Sequence, residues 1–456
     1  MEVIRMKKTT IKLLCLLLAV VAVVSFAACK KKTVQDGVVT LPPEGEDIEI
    51  KGTIKFSYSQ GTSEDNRNAA NAFIDAFRKQ YPNVVVNRDY SASDPSTRIS
   101  SGDIGDVFYF AEVSAYNYAV TQNALMPLEY WMEVLNIDRG DVFSGIFDAG
   151  MINNHLYYVA RDFNQILFIY NRDALESMGL TERVYPDWTW EEFLALCQEI
   201  SGSDDYYGAM MQLNYDPVFI PFLEAYEGRG KWFSLKNKEV DLTSGDTLKA
   251  LNEALDACRE GYINLGLGGD FGRKEAVFNF LVYPSINSTA QTYDQKSVDW
   301  DLINLPLFKN PAFGAGSSGV GVYNRTSNPG AAAAFALFFY TQEGQRAFNG
   351  QTGGSVPLLA SLKDDDFWKH PNDAWSDKNW EACVYKAEDY ATIGRFACLL
   401  PPEISDLLNN NITSVLTKAL NGSASLEDGM GQLQQKVNDF SINRFFVSDT
   451  VSELFH

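Results

Sequence analysis

Residues 51–90 read KGTIKFSYSQGTSEDNRNAANAFIDAFRKQYPNVVVNRDY. Ile54, Phe56 and Tyr58 alternate, and the pattern breaks at Gly61, as in a strand that runs into a loop. Ala69, Phe73, Ala76 and Phe77 then recur on one helical face, and YPNVVVNRDY returns to strand character. Strands joined by a helical crossover lie parallel in a sheet, so this opening places the body in the α/β class. GDVFYF at 105–110 adds a further short buried strand.

Other elements carry local signals of the same kind. In PDWTWEEFLALCQEI (186–200), Thr189 and Glu192 have the spacing of a capping box, and Trp188 and Phe193 that of a hydrophobic staple. SNPGAAAAFALFFYTQEGQ (327–345) predicts a buried helix, with Pro329 in its first turn and an apolar stretch over Ala331–Tyr340 too short to span a bilayer. SLEDGMGQLQQKVNDF predicts a last helix capped by Ser425. There is no internal repeat and no low-complexity tract.

The chain has 456 residues, more than one ordinary core and enough for two domains. It is 46% hydrophobic, so disorder is not its class, and its net charge is −21. Such a surface repels nucleic-acid phosphates and anionic lipid, which argues against nucleic acid and against peripheral membrane binding. None of the six cysteines falls in a CxxC or metal-ligand spacing. Cys197 and Cys258 sit on apolar helical faces and read as core thiols. A Cys383–Cys398 bridge stays open.

At the N-terminus, Lys7, Lys8 and Lys12 precede an apolar run of 14 residues, Leu13–Phe26, which has the length of a signal-peptide core. Ala27, Ala28 and Cys29 follow. The arrangement resembles a bacterial lipobox, although Phe26 stands where Leu is usual, and it implies cleavage before Cys29 and lipid attachment to it. Residues 30–50 mix charges, glycine and a proline pair without periodicity and read as a tether.

Catalytic and cofactor motifs are wanting. GAGSSG at 314–319 matches G-x-G-x-x-G, but no helix follows and no acid lies about 20 residues on, so it reads as a glycine-rich crossing loop that enters a strand. The three histidines form no HExxH, and there is no G-x-S-x-G elbow, phosphate-binding loop or calcium loop. No cofactor and no metal is implied. Aromatic residues beside Gln, Asn, Asp and Arg recur in non-helical stretches such as FSYSQ and HLYYVARDF. A ring can stack on a pyranose while amides and charges take its hydroxyls.

Three longer segments carry a resemblance. RISSGDIGDVFYF (98–110) is similar to a "PDVF"-type strand, with Gly105 in place of Pro. YYVARDFNQILFIYNRDALESMGL (157–180) with PDWTWEEF resembles a "Y-N-K-D-L-F…G-L…T-W-D-E-F" stretch. SGVGVYNRTSNPGAAAAFALFFYTQEGQ (318–345) with GGSVPLLASL resembles an "S-x-x-P-E-A-A-W-x-F-x-x-F-L…E-G-Q…G-x-x-P" signature. Together they resemble extracellular solute-binding protein family 1 of ABC importers, the maltose-binding-protein type, over essentially all of residues 51–440.

That resemblance implies a two-lobed, type II periplasmic-binding-protein fold with the ligand cleft between lobes joined by crossing hinge strands. Residues 51–158 and 307–352 would form lobe one, and 159–306 and 353–456 lobe two. The hinge would lie near Tyr158–Asp162 and Asn304–Leu307. It implies a membrane-tethered, monomeric binding protein, held on the outer face by lipid on Cys29, that captures a carbohydrate and hands it to permease subunits. Carried over by position, the ligand-facing residues are Ser59, Gln60, Phe110, Glu112, Arg161, Asn164, Tyr283, Ser285, Gly316, Ser317 and Arg395. Arg161 and Arg395, if both face inward, would suit an acidic sugar; a neutral oligosaccharide is the first reading. The alternatives are a receptor feeding a two-component system and a surface enzyme that cleaves glycans with two carboxylates.

Overall fold

The computed structural model describes residues 48–152, 154–234, 239–369, 373–393 and 402–441. The opening segment folds as its pattern requires: strand β1 (Gly52–Ser57), helix α1 (Glu64–Gln80) and strand β2 (Val84–Asp89), with β1 and β2 parallel and Gly52 opposite Val84. Ser63 caps α1 through the backbone N–H of Asn66, and Ala69, Phe73 and Phe77 are buried against the sheet. Strands β3 (Val107–Ala111) and β4 (Val159–Ala160) belong to the same layer.

The chain then leaves this sheet through the two-residue strand β5 (Asn164–Gln165). It builds a second sheet from β6 (Leu167–Asn171), β7 (Tyr206–Met210), β8 (Ile263–Asn264), β9 (Glu275–Leu281) and β10 (Trp300–Asn304). Helices α2 (Trp190–Ile200) and α3 (Tyr283–Gln295) flank it. A strand β11 (Phe313–Gly316) leads back to β12 (Ser318–Val322) in the first sheet. The sheet orders are β2-β1-β3-β12-β4 and β8-β7-β9-β6-β10, and a third, β13-β11-β5, joins them, with β13 at Ala391–Ile393.

This is a mixed α/β fold of two lobes. Each main sheet contains antiparallel neighbours, because strands entered from a crossing run back against the parallel set: β12 pairs antiparallel with β3 and β4, and β6 with β9 and β10. The second passage between lobes starts later than Asn304–Leu307. Leu307 still exchanges backbone hydrogen bonds with Trp188 and Trp190, so the chain leaves the second lobe only after it.

GAGSSG is the crossing itself: β11, Ser317 and the start of β12. Its glycines answer to close approach. A Cβ on Gly314 would stand 1.5 Å from the Pro217 carbonyl oxygen, and one on Gly319 2.1 Å from that of Val159.

Local signals hold elsewhere. Thr189 and Glu192 make both bonds of the capping box, and the rings of Trp188 and Phe193 lie 5.3 Å apart. The alanine helix α4 (Pro329–Leu337) is buried behind the first sheet, and α5 (Gln342–Asn349) follows it. Helices α6 (Pro402–Leu420) and α7 (Leu426–Ser441) close the second core, with Ser425 Oγ accepting from the Asp428 N–H. Cys197 and Cys258 are buried free thiols, as is Cys383; Cys398 lies outside the described residues. Among the described residues no helix is long and apolar enough to cross a membrane.

The end of the first sheet is locked by charge. Partial burial alone would raise the Asp89 carboxyl, but the Arg98 guanidinium and hydrogen bonds from Ser91 and Ser57 outweigh it and hold it at about 2. A carboxyl so depressed stabilises the fold above its unfolded value near 4, and the contribution disappears as pH falls from about 4 to about 2. Urea titrations at pH 7 and pH 2 should therefore show Arg98→Ala costing about 2 kcal/mol at the higher pH and much less at the lower. Equal cost at both would contradict this assignment.

Candidate ligand cleft

Where β4 gives way to β5, the backbone presents Arg161 at the floor of a cleft between the lobes. Its N–H donates to the Ser318 carbonyl (2.8 Å), which joins the two crossings. The guanidinium donates to the Tyr58 hydroxyl, and Nε lies 3.1 Å from Asp162 Oδ2. It also packs over three rings, 4.8 Å from the Phe348 centroid, 5.2 Å from Tyr109 and 5.6 Å from Tyr58. Asp162 Oδ1 accepts from the Ser318 N–H (2.8 Å) and from Asn164 Nδ2 (3.3 Å). Burial pushes the Asp162 carboxyl above its ordinary value against the pull of Arg161, and pushes the Tyr58 hydroxyl up to about 12. Burying two such groups is costly, and facing each other with hydrogen bonds to Tyr58 and Ser318 offsets part of that cost.

The first lobe's wall is formed by Gln60, by the start of α1 at Ser63, Asp65 and Asn66, and by Tyr109 and Ser318. Tyr109 donates to Ser318 Oγ (3.1 Å). A glycine-rich loop, residues 350–355, continues this wall. Its Gly353 lies so close to α1 that a Cβ would stand 2.4 Å from the Asp65 backbone. The second lobe contributes Tyr283, Pro284 and Asn287 from the first turns of α3, with Phe367, Trp368 and Lys369 from a later segment. Tyr283 donates its hydroxyl proton to the Trp368 carbonyl (2.5 Å), and Lys369 Nζ pairs with Glu381 Oε1 at 3.1 Å. The open cleft has a volume of about 610 Å³, within the range of roughly 300–1,000 Å³ of small-molecule sites.

Of the residues expected to face ligand, the structure brings Gln60, Arg161 and Tyr283 together on this cleft. Ser59, Asn164, Ser285 and Gly316 lie beside it, each half-buried and outside the lining. Ser317 and Glu112 are buried behind it: the Ser317 N–H donates to Glu112 Oε2 (3.3 Å), and its hydroxyl pairs with Tyr158 (2.9 Å). Phe110 turns into the core against Phe108, Tyr118 and Tyr158, because side chains alternate along a strand; its neighbour Tyr109 takes the cleft face. Arg395 lies outside the described residues, as does Cys29. The position-by-position reading missed Tyr109, Asn287, Ser318, the loop from Asn349 to Ser355 and Phe367–Lys369. The Gly353-Gly354 pair before Ser355 was the one visible signal of that loop.

Comparison with known proteins gives the family and the fold. Residues 61–346 match the family model described as bacterial extracellular solute-binding protein. Among solved structures, the chain is similar to a cyclic α-maltosyl-1,6-maltose binding protein from Arthrobacter globiformis, with a TM-score of 0.67 and 18% identity over 86% of this chain and 100% of that one. It is similar to an ABC substrate-binding protein from Listeria monocytogenes in complex with cycloalternan, with a TM-score of 0.62 and 19% identity over 86% and 99%. It is also similar to UgpB from Mycobacterium tuberculosis in complex with glycerophosphocholine, with a TM-score of 0.63 and 19% identity over 85% and 98%.

Removing one member of the buried pair strands the other. Arg161→Leu should destabilise the protein by about 3–5 kcal/mol in urea unfolding, whereas Arg161→Leu with Asp162→Leu should cost clearly less than the two single changes summed. Strict additivity would show that the pair does not act as one unit.

Proposed function

Because this chain belongs to the bacterial extracellular solute-binding protein family, a family of binding proteins on ABC import systems, we propose that it captures a neutral carbohydrate in the cleft and delivers it to a permease. One observation carries the choice of a neutral ligand. The acidic and basic side chains lining the cleft are Asp65, Arg161, Asp162 and Lys369, and both cations already face carboxylates, Asp162 and Glu381. Among the described residues no lining cation is left without a counter-charge, and a ligand anion would compete with carboxylates already in place. What the cleft offers instead is hydroxyl and amide groups (Gln60, Ser63, Asn66, Asn287, Gln351, Thr352) beside the rings of Tyr109, Tyr283 and Phe367. That mixture suits a polyhydroxylated ring.

In this reading the protein makes and breaks no bond. The sheet of β5, β11 and β13 acts as the hinge, and rotation about it brings Tyr283 and Asn287 towards Gln60 and Tyr109. Cleavage before Cys29 and its lipidation hold the body on the outer face of the membrane, and two or more acyl chains make that anchoring stable. The tether then keeps a high local concentration of receptor beside the permease.

A thermal-shift screen tests the ligand class, with neutral oligosaccharides, acidic saccharides, glycerophosphocholine, peptides and polyamines. A ligand at one hundred times its Kd stabilises by about 2.7 kcal/mol, so a true ligand is plainly visible. A neutral saccharide should raise Tm, and Tyr283→Ala should reduce the shift. Stabilisation by anionic compounds or peptides alone would overturn the proposal.

A further inference from the structure

Gln345 is fully buried, and its side-chain amide is saturated. Nε2 donates to the carbonyls of Phe339 (2.6 Å) and Arg161 (3.1 Å), while Oε1 accepts from Asn349 Nδ2 (2.9 Å) and the Leu358 N–H (3.1 Å). Two donors and two acceptors are the full capacity of a carboxamide, and no other neutral side chain supplies that set. Asn349, one turn later on α5, repeats the grip. Its Nδ2 also donates to the Arg161 carbonyl (3.2 Å), and its Oδ1 accepts from the Ser355 N–H (3.0 Å). Ser355 Oγ donates to Asn164 Oδ1 (2.6 Å), and the Phe163 N–H donates to the Val356 carbonyl (3.1 Å).

The glycine-rich wall at 350–355 is therefore fastened at both ends to one short piece of chain, Arg161–Asn164, which is the passage between the lobes. Gly350, Gly353 and Gly354 give the loop few side chains of its own, so the amides hold its shape. We propose that Gln345 and Asn349 are positioning residues that couple contact on this loop to the geometry of the crossing at Arg161–Asn164. A ligand pressing on Gln351–Gly354 displaces Ser355 and Asn349, and through them the Arg161 carbonyl. Burial beneath the cleft makes this tie selective, since the bonds have no water to exchange with. The inference rests on the cleft being the ligand site, but its test needs no ligand.

Hydrogen exchange on the full chain without saccharide isolates the tie. In Asn349→Ala, the amides of Arg161 and Phe163 should exchange about tenfold or more faster, while those of Ile54 in β1 and Ile169 in β6 keep wild-type rates. Crossing amides that keep their wild-type rates would overturn the coupling, and so would a uniform rise at all four, which marks general destabilisation. Should Asn349→Ala not fold, Ser355→Ala removes a single hydroxyl. Selective acceleration at Phe163 supports the coupling there, and its absence overturns it. Failure of saccharides to bind counts against the proposed function alone, and unaltered crossing exchange against the coupling alone.

Discussion

The ion pair of Arg161 and Asp162 constrains the rest of the site. Both side chains are nearly inaccessible, so the fold must supply each with a counter-charge and hydrogen bonds or bear an uncompensated buried charge. Meeting that demand brings together Tyr58 just after the first strand, Tyr109 from the third, Ser318 from the returning strand and Phe348 from α5. These residues come from distant parts of the sequence. The crossing between lobes and the floor of the cleft are consequently one object: whatever fixes Arg161 also fixes where the lobes meet.

Charge cancellation within the cleft contrasts with the molecule as a whole, which carries −21. A strongly acidic protein repels anions at long range, and its cleft keeps no lining cation uncompensated among the described residues. Both features disfavour an anionic solute. Neutral recognition then depends on shape and hydroxyl geometry, which two walls on separate lobes can supply once they approach. The buried amides of Gln345 and Asn349 extend the same logic below the surface, because hydrogen-bonded carboxamides hold a glycine-rich wall in place without adding charge.

Local chemistry made much of the fold legible. The capping box of Thr189 and Glu192, the cap at Ser425 and the alternation of Ile54, Phe56 and Tyr58 each depend on neighbours within a few residues, and each has its counterpart in the structure. Site residues were less legible because they depend on register and on chain crossings. Phe110 and Tyr109 are adjacent, and only the strand's orientation decides which ring meets the cleft. Ser317 and Glu112 are polar, yet they bond to each other behind the wall. Trp368 and Lys369 reach the cleft only because the segment that carries them packs along α3, a placement no local pattern encodes.

In the proposed function, two lobes close on a neutral saccharide held over Arg161. The distance between spin labels at Lys79→Cys on the first lobe and Glu182→Cys on the second, both exposed positions, measures this directly. With a saturating neutral oligosaccharide, the distance distribution should shorten and narrow. An unchanged distribution under the same saturation would contradict the account.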